Sequence, residues 1–134
     1  MPNKGFESLD VYKLSAMLAD EIWRIVLKRD GFEKETIGKQ VIRAADGVGA
    51  NIAEGTGRGS FPDNRRFVRM ARRSLYETRH WLPRADARKL LTDAQVASLK
   101  QIIKELAPRL NAYLRSIGRA VHPASDKGQT TRDK

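Results

Sequence analysis

The stretch that decides the fold is Ile42 to Arg58, I-R-A-A-D-G-V-G-A-N-I-A-E-G-T-G-R. With Val41 just before it, the apolar positions Val41, Ala45, Val48 and Ile52 step by four, three and four residues, which is one stripe of an α-helix. The residues around that stripe are small: Ala44, Gly47, Gly49, Ala50 and Ala53. A face built from them lets a neighbouring backbone approach closely. Asn51 and Glu54, three apart, share one side of the same helix. Gly55 and Gly57 follow and are read as helix-stopping residues, so the chain is expected to turn between Arg58 and Phe61.

Outward from this segment the same periodicity recurs. Upstream, Val11, Leu14, Leu18, Ile22 and Ile25 predict a first helix from about Ser8, as N-cap, to Arg29, with Asp10 favourable at its positive end. Asp30-Gly31 closes it, Phe32 opens a short connection, and the second helix is expected over about Lys34 to Glu54. Gly47 and Gly49 each cost that helix about 1 kcal/mol relative to alanine. Downstream, Ser60 caps a third helix with Pro62 and Asp63 in its first turn. Its buried side is Phe67, Ala71, Leu75, Thr78 and Leu82, and Pro83 predicts a kink or an early stop. Ala85, Leu90 and Leu91 beyond it still read as buried.

Thr92-Asp93-Ala94-Gln95 is a capping box for a fourth helix. Val96, Leu99, Ile103, Leu106, Leu110 and Leu114 are its stripe, Pro108 a second expected kink and Gly118 its end. The fold class is therefore all-α, an up-down-up-down four-helix bundle in one domain over residues 1–118. The polar tail, 119–134, has no periodicity and is expected to be disordered.

Three segments, G-F-E-S-L-D-V-Y-K-L-S at 5–15, Q-V-I-R-A-A followed by N-I-A-E-G-T-G-R, and R-F-V-R-M-A-R-R-S-L-Y-E-T at 66–78, appear in this order. Together they closely resemble the signature of a bacterial family of four-helix-bundle proteins whose founders are encoded in intervening sequences of 23S rRNA genes. An old ribosomal-protein label attaches to the same family. The resemblance covers about residues 5–117. It implies a bundle assembled as a ring, usually a pentamer, and it implies no assigned activity. It also implies a distant similarity to the accessory protein of diversity-generating retroelements, which binds nucleic acid and a reverse transcriptase. Where the family has serine and proline, this chain has Gly47 and Gly49, so the resemblance does not carry over the helix geometry there.

The formal net charge of +10 and a sequence pI of about 10.3 point to anionic partners, nucleic acid before an acidic membrane surface. With no cysteine, disulfides and thiolate metal sites are excluded, and the expected compartment is the cytosol. The N-terminus lacks the apolar core of a signal peptide and no apolar run is long enough for a membrane span. The charge is concentrated. Between residues 58 and 91 ten basic side chains face three acidic ones, a net +7.

The candidate nucleic-acid-binding residues are Arg58, Arg65, Arg66, Arg69, Arg72, Arg73 and Arg79. Arg65, Arg69, Arg72 and Arg73 share a helix face and repel one another unless phosphates or carboxylates intervene. The bland alternative pairs them with Asp20, Glu21, Asp30, Glu33 or Glu35, or with a neighbouring subunit. No base-reading motif is present, so binding is expected to be backbone-led.

Asn51, Glu54 and Gly55 are read as structural, with Glu54 meeting Arg43 or Arg58. Glu77-Thr78-Arg79-His80 matches half of a di-iron site, but the second half is missing and the other histidine, His122, is in the tail, so no metal or other cofactor is expected. The expected protein is thus non-enzymatic: an oligomer that binds RNA or DNA, with an adaptor for an acidic protein partner as the alternative.

Overall fold

The apolar stripes close on one another in a computed structural model that describes residues 5–119. A 3-10 turn, Phe6–Ser8, precedes α1 (Asp10–Leu27). Ser8 is not the N-cap: its hydroxyl donates to the carbonyl of Gly5 within the 3-10 turn, and the helix starts two residues later. Asp30, expected to close the first helix, instead opens the second, its carboxylate accepting from the Glu33 amide at 2.9 Å. The second long helix therefore begins with α2 (Gly31–Glu33) and passes through one π-helical turn, Lys34–Gly38. It continues without a gap as α3 (Lys39–Thr56), and no separate connection exists at Phe32.

Gly47 and Gly49 lie inside α3. So does Gly55, which is helical and buried, and the helix ends at the cap residue Gly57. Then α4 (Phe61–Ala87) begins at Ser60, whose hydroxyl accepts from the Asp63 amide at 3.2 Å. It runs past Pro83, which is exposed, so the carbonyl that the ring leaves unpaired is on the wet side of the helix. Pro108 is likewise exposed within α5 (Asp93–Ser116). The expected capping box is complete, with Gln95 and Thr92 exchanging backbone-to-side-chain bonds at 2.9 and 3.1 Å.

Each long helix packs against the next, and α1 also meets α5, so the four rods enclose one core. Its centre is Leu18, Ile52, Val68, Ala71, Leu75, Leu106 and Leu110, essentially without solvent contact. On α5 the buried slot goes to Ile102, while Ile103 is half-buried. Two buried hydroxyls are satisfied within their own helices: Ser15 donates to Val11 at 2.6 Å and Thr78 to Ser74 at 2.9 Å. The class is all-α, a four-helix bundle. The expected disordered tail, 119–134, falls outside the described residues except for Arg119.

Candidate functional site

Helix α4 has its core side set by Val68, Ala71, Leu75, Thr78 and Ala85. That leaves the seven singled-out arginines on its flanks, its outer face and the preceding turn, and the structure divides them into three groups.

The first is an ion-pair cluster at the α3–α4 turn. Arg58 reaches Glu54 at 2.8 Å and Asp63 at 3.1 Å, and Arg66 grips the other oxygen of Asp63 at 2.9 Å. Both guanidinium groups lie by the Phe67 ring, 4.8 and 4.6 Å from its centroid. The hydrogen bond from Arg58, reinforced by that from Arg66, holds the Asp63 carboxyl below the usual carboxylate range, and the bond to Asp63 raises Arg58.

The second group is a pair of latches. Arg65 donates to the carbonyl of Ile117 at 2.9 Å and Arg72 to the Asn111 side chain at 3.1 Å, so both tie α4 to the end of α5. The third group is Arg69, Arg73 and Arg79, all exposed and, among the described residues, without a carboxylate partner. The acids proposed as partners from sequence are not used by these arginines: Glu33 instead binds Arg29 at 2.6 Å, and the carboxylates that do engage are Glu54 and Asp63.

The family-motif residues Asn51, Glu54 and Gly55 make their contacts within the bundle. The Asn51 side chain donates to the carbonyl of Gly47 at 2.8 Å, and Glu54 chooses Arg58. Gly55 was expected to stop the helix; it is where α4 comes closest. A Cβ there would be 2.5 Å from Asn64 Oδ1 and 3.1 Å from both the Asn64 carbonyl oxygen and Phe67 Cβ. Asn64 Oδ1 is buried with no hydrogen-bond donor.

No cluster of three or more His, Cys, Asp or Glu able to hold a metal exists among the described residues. His80 sits edge-on to Trp81, centroids 4.9 Å apart, and His122 lies outside the described residues. No helix among them is long and apolar enough to cross a membrane.

Two features escaped the sequence reading. One is Tyr76, 55% exposed among the arginines of α4. Its helical neighbours Arg72, Arg73, Arg79 and His80 were a signal within reach. The other is a groove of about 540 Å³ between α4 and α5, lined by apolar Leu82, Val96 and Ile103 and by the charged residues Arg79, Lys100, Lys104 and Asp86. It depends on how far two helices separate, which no local pattern encodes.

A family model described as 23S rRNA-intervening sequence protein matches residues 7–112. A solved structure from Bacteroides thetaiotaomicron, described as a protein with unknown function from the S23 ribosomal protein family, superposes with a TM-score of 0.69 at 23% identity. It covers 78% of this chain and 98% of its own, a similarity of fold. No curated protein matches.

Proposed function

The chain belongs to the 23S rRNA-intervening sequence protein family, and we propose that it is a non-enzymatic, oligomeric bundle that binds the backbone of RNA or DNA through the arginine-rich surface of α4. The observation that carries this reading is the group Arg69, Arg73 and Arg79, exposed and forming no ion pair among the described residues. Like charges three and four residues apart repel by a few tenths of a kcal/mol per pair, and phosphate oxygens convert that repulsion into attraction. Arg58 and Arg66, already neutralised by Glu54 and Asp63, contribute less than their position in the sequence implies.

Assembly into a ring, a pentamer by family resemblance, repeats this charge around an axis and makes a belt of it. Exposed Trp23, Leu27 and Phe32 on the first two helices, with Phe61 at the start of α4, are apolar surface available to a second copy. Trp81 is not part of this surface, since it packs against its own core. A mass measured by light scattering at micromolar concentration should be a multiple of 15.1 kDa; a monomer refutes the ring. The cysteine-free chain fits a reducing compartment, and the cytosol is the proposed location.

The test is salt dependence. Affinity for an oligonucleotide should fall linearly on a logarithmic scale with salt, with a slope of about −0.7 per phosphate contacted on a single strand. The triple variant Arg69→Glu, Arg73→Glu, Arg79→Glu should weaken all sequences alike and flatten that slope. Arg65 and Arg72 are unsuitable targets, because their bonds to Ile117 and Asn111 hold α5. A triple variant that binds as well as the parent at low salt overturns the reading.

The second reading, an adaptor for an acidic protein, draws on the α4–α5 groove, whose apolar lining and three cations, Arg79, Lys100 and Lys104, against the single carboxylate of Asp86 fit an acidic amphipathic helix. Parent protein that binds neither RNA nor DNA at low salt favours it.

A further inference from the structure

We propose that Tyr76 is a stacking platform for an unpaired base, and that the ligand of the α4 surface is single-stranded nucleic acid rather than duplex. This rests on the backbone-binding reading and narrows it.

Tyr76 leaves 55% of its surface in water, on the flank of α4 away from Val68, Ala71 and Leu75. On a helix, its nearest surface neighbours are the residues three and four away in each direction: Arg72, Arg73, Arg79 and His80. Three of the four are arginines. A large ring is held in the middle of that field with no interior role. Among the described residues the paired rings are Phe6 with Tyr12 and His80 with Trp81, and the guanidinium-over-ring contacts are both at Phe67. The Tyr76 ring takes part in neither kind of contact, and its hydroxyl makes no hydrogen bond there.

Arginines alone serve duplex and single strand alike, since both present phosphates. An exposed ring adds something only where a base face is available. In a duplex those faces are stacked on one another, whereas a single strand can lay one on tyrosine while cations three and four residues away hold the adjoining phosphates. Arg73 and Arg79 have no carboxylate to give up on binding, and Arg72 spends one Nη1 bond on Asn111, keeping the rest of its fork free. Stacking of this kind tolerates any base, in keeping with the lack of a base-reading motif.

The experiment compares an oligothymidine of about 12 nucleotides with the same strand paired to its complement, by fluorescence anisotropy at about 50 mM salt. The parent should prefer the single strand. Tyr76→Ala should lose about 5- to 150-fold on the single strand and under about 2-fold on the duplex, while Tyr76→Phe should keep the single-strand affinity within about 2-fold. A 5-bromouracil strand photocrosslinked to the parent should map to the peptide containing Tyr76. Circular dichroism and light scattering report whether Tyr76→Ala keeps the helices and the mass of the parent.

Equal effects of Tyr76→Ala on both ligands, or none, overturn the proposal. If the arginine triple variant still abolishes binding in that case, the backbone reading stands without it. A Tyr76→Ala protein of altered mass assigns the ring to a contact between copies and overturns the proposal as well. Parent protein that binds neither ligand removes both readings.

Discussion

The two edges of α3 carry the same residue type for different physical reasons. Toward α4, Gly55 meets a wall: the nearest heavy atoms to a Cβ would be at 2.5 and 3.1 Å, and one of them is backbone. Toward α1, Gly49 has open contact distance, with Tyr12 Cε1 at 3.5 Å and Ser15 Cβ at 3.6 Å. Of these two glycines, only Gly55 has a close approach that requires glycine. Close packing on that edge fixes α4 on the bundle, and a helix fixed on its inner side can present a crowded row of arginines on its outer side without unwinding.

The largest change expected at this helix is at its centre line, between the edges. Ala45 is 1% exposed within the core, and Ala45→Leu forces in three extra carbons, so a thermal melt should show a loss of about 1–3 kcal/mol. At the edges the comparison becomes a pair of opposite signs. Gly55→Ala gains helix propensity but must displace the Asn64 side chain and carbonyl oxygen and the Phe67 Cβ, for a net loss of about 1 kcal/mol. Gly49→Ala meets nothing closer than van der Waals contact and should gain about 0.5–1 kcal/mol in the same melt. Two losses would mean that the α1 edge is as tight as the other; two gains would mean that α4 yields at Gly55.

What could be read from the chain follows from the range of the interactions. The helical stripes through Leu18, Val48, Leu75 and Leu106 are periodic within a few residues, and all four are buried. The caps at Ser60 and Thr92 are equally local and were legible for that reason. Gly55 has the residue type of a local stop, and the approach of Asn64 and Phe67 from α4 explains why a glycine stands there inside the helix. Pro83 and Pro108 show the same limit: the cost of a proline is local, but the side it faces is set by tertiary packing.

In the site, the concentration of arginine was legible and its division was not. Asp63 lies within five residues of both Arg58 and Arg66, so that cluster was within reach of a local reading. The latches to Ile117 and Asn111 span 52 and 39 residues and were not.

The smallest effect belongs to the third side of α3, the one facing water, where Asp46 stands. Partial burial, with the charge of Asp20 adding to it, raises the Asp46 carboxyl above its ordinary value of 3.8. In the folded protein it therefore holds its proton to higher pH than in the unfolded chain. As pH rises from that ordinary value through the raised one, the folded state gives up stability, because it must charge a group that the unfolded chain charges more easily. Asp46→Asn removes this cost. At pH 7 the variant should melt slightly above the parent, and the gap should close below the ordinary carboxylate value, where both side chains are neutral. Asp63 has the opposite sign, since Arg58 and Arg66 lower it: its contribution is present above its unfolded value and lost as pH falls through the folded one, so Asp63→Asn should melt below the parent at pH 7. Melts of the three proteins from pH 3 to pH 7 separate the two signs in one experiment. An Asp46→Asn variant that melts below the parent at neutral pH would show that its carboxylate has a stabilising partner on α3's outer side, and that this side is as specifically built as the edge against α4.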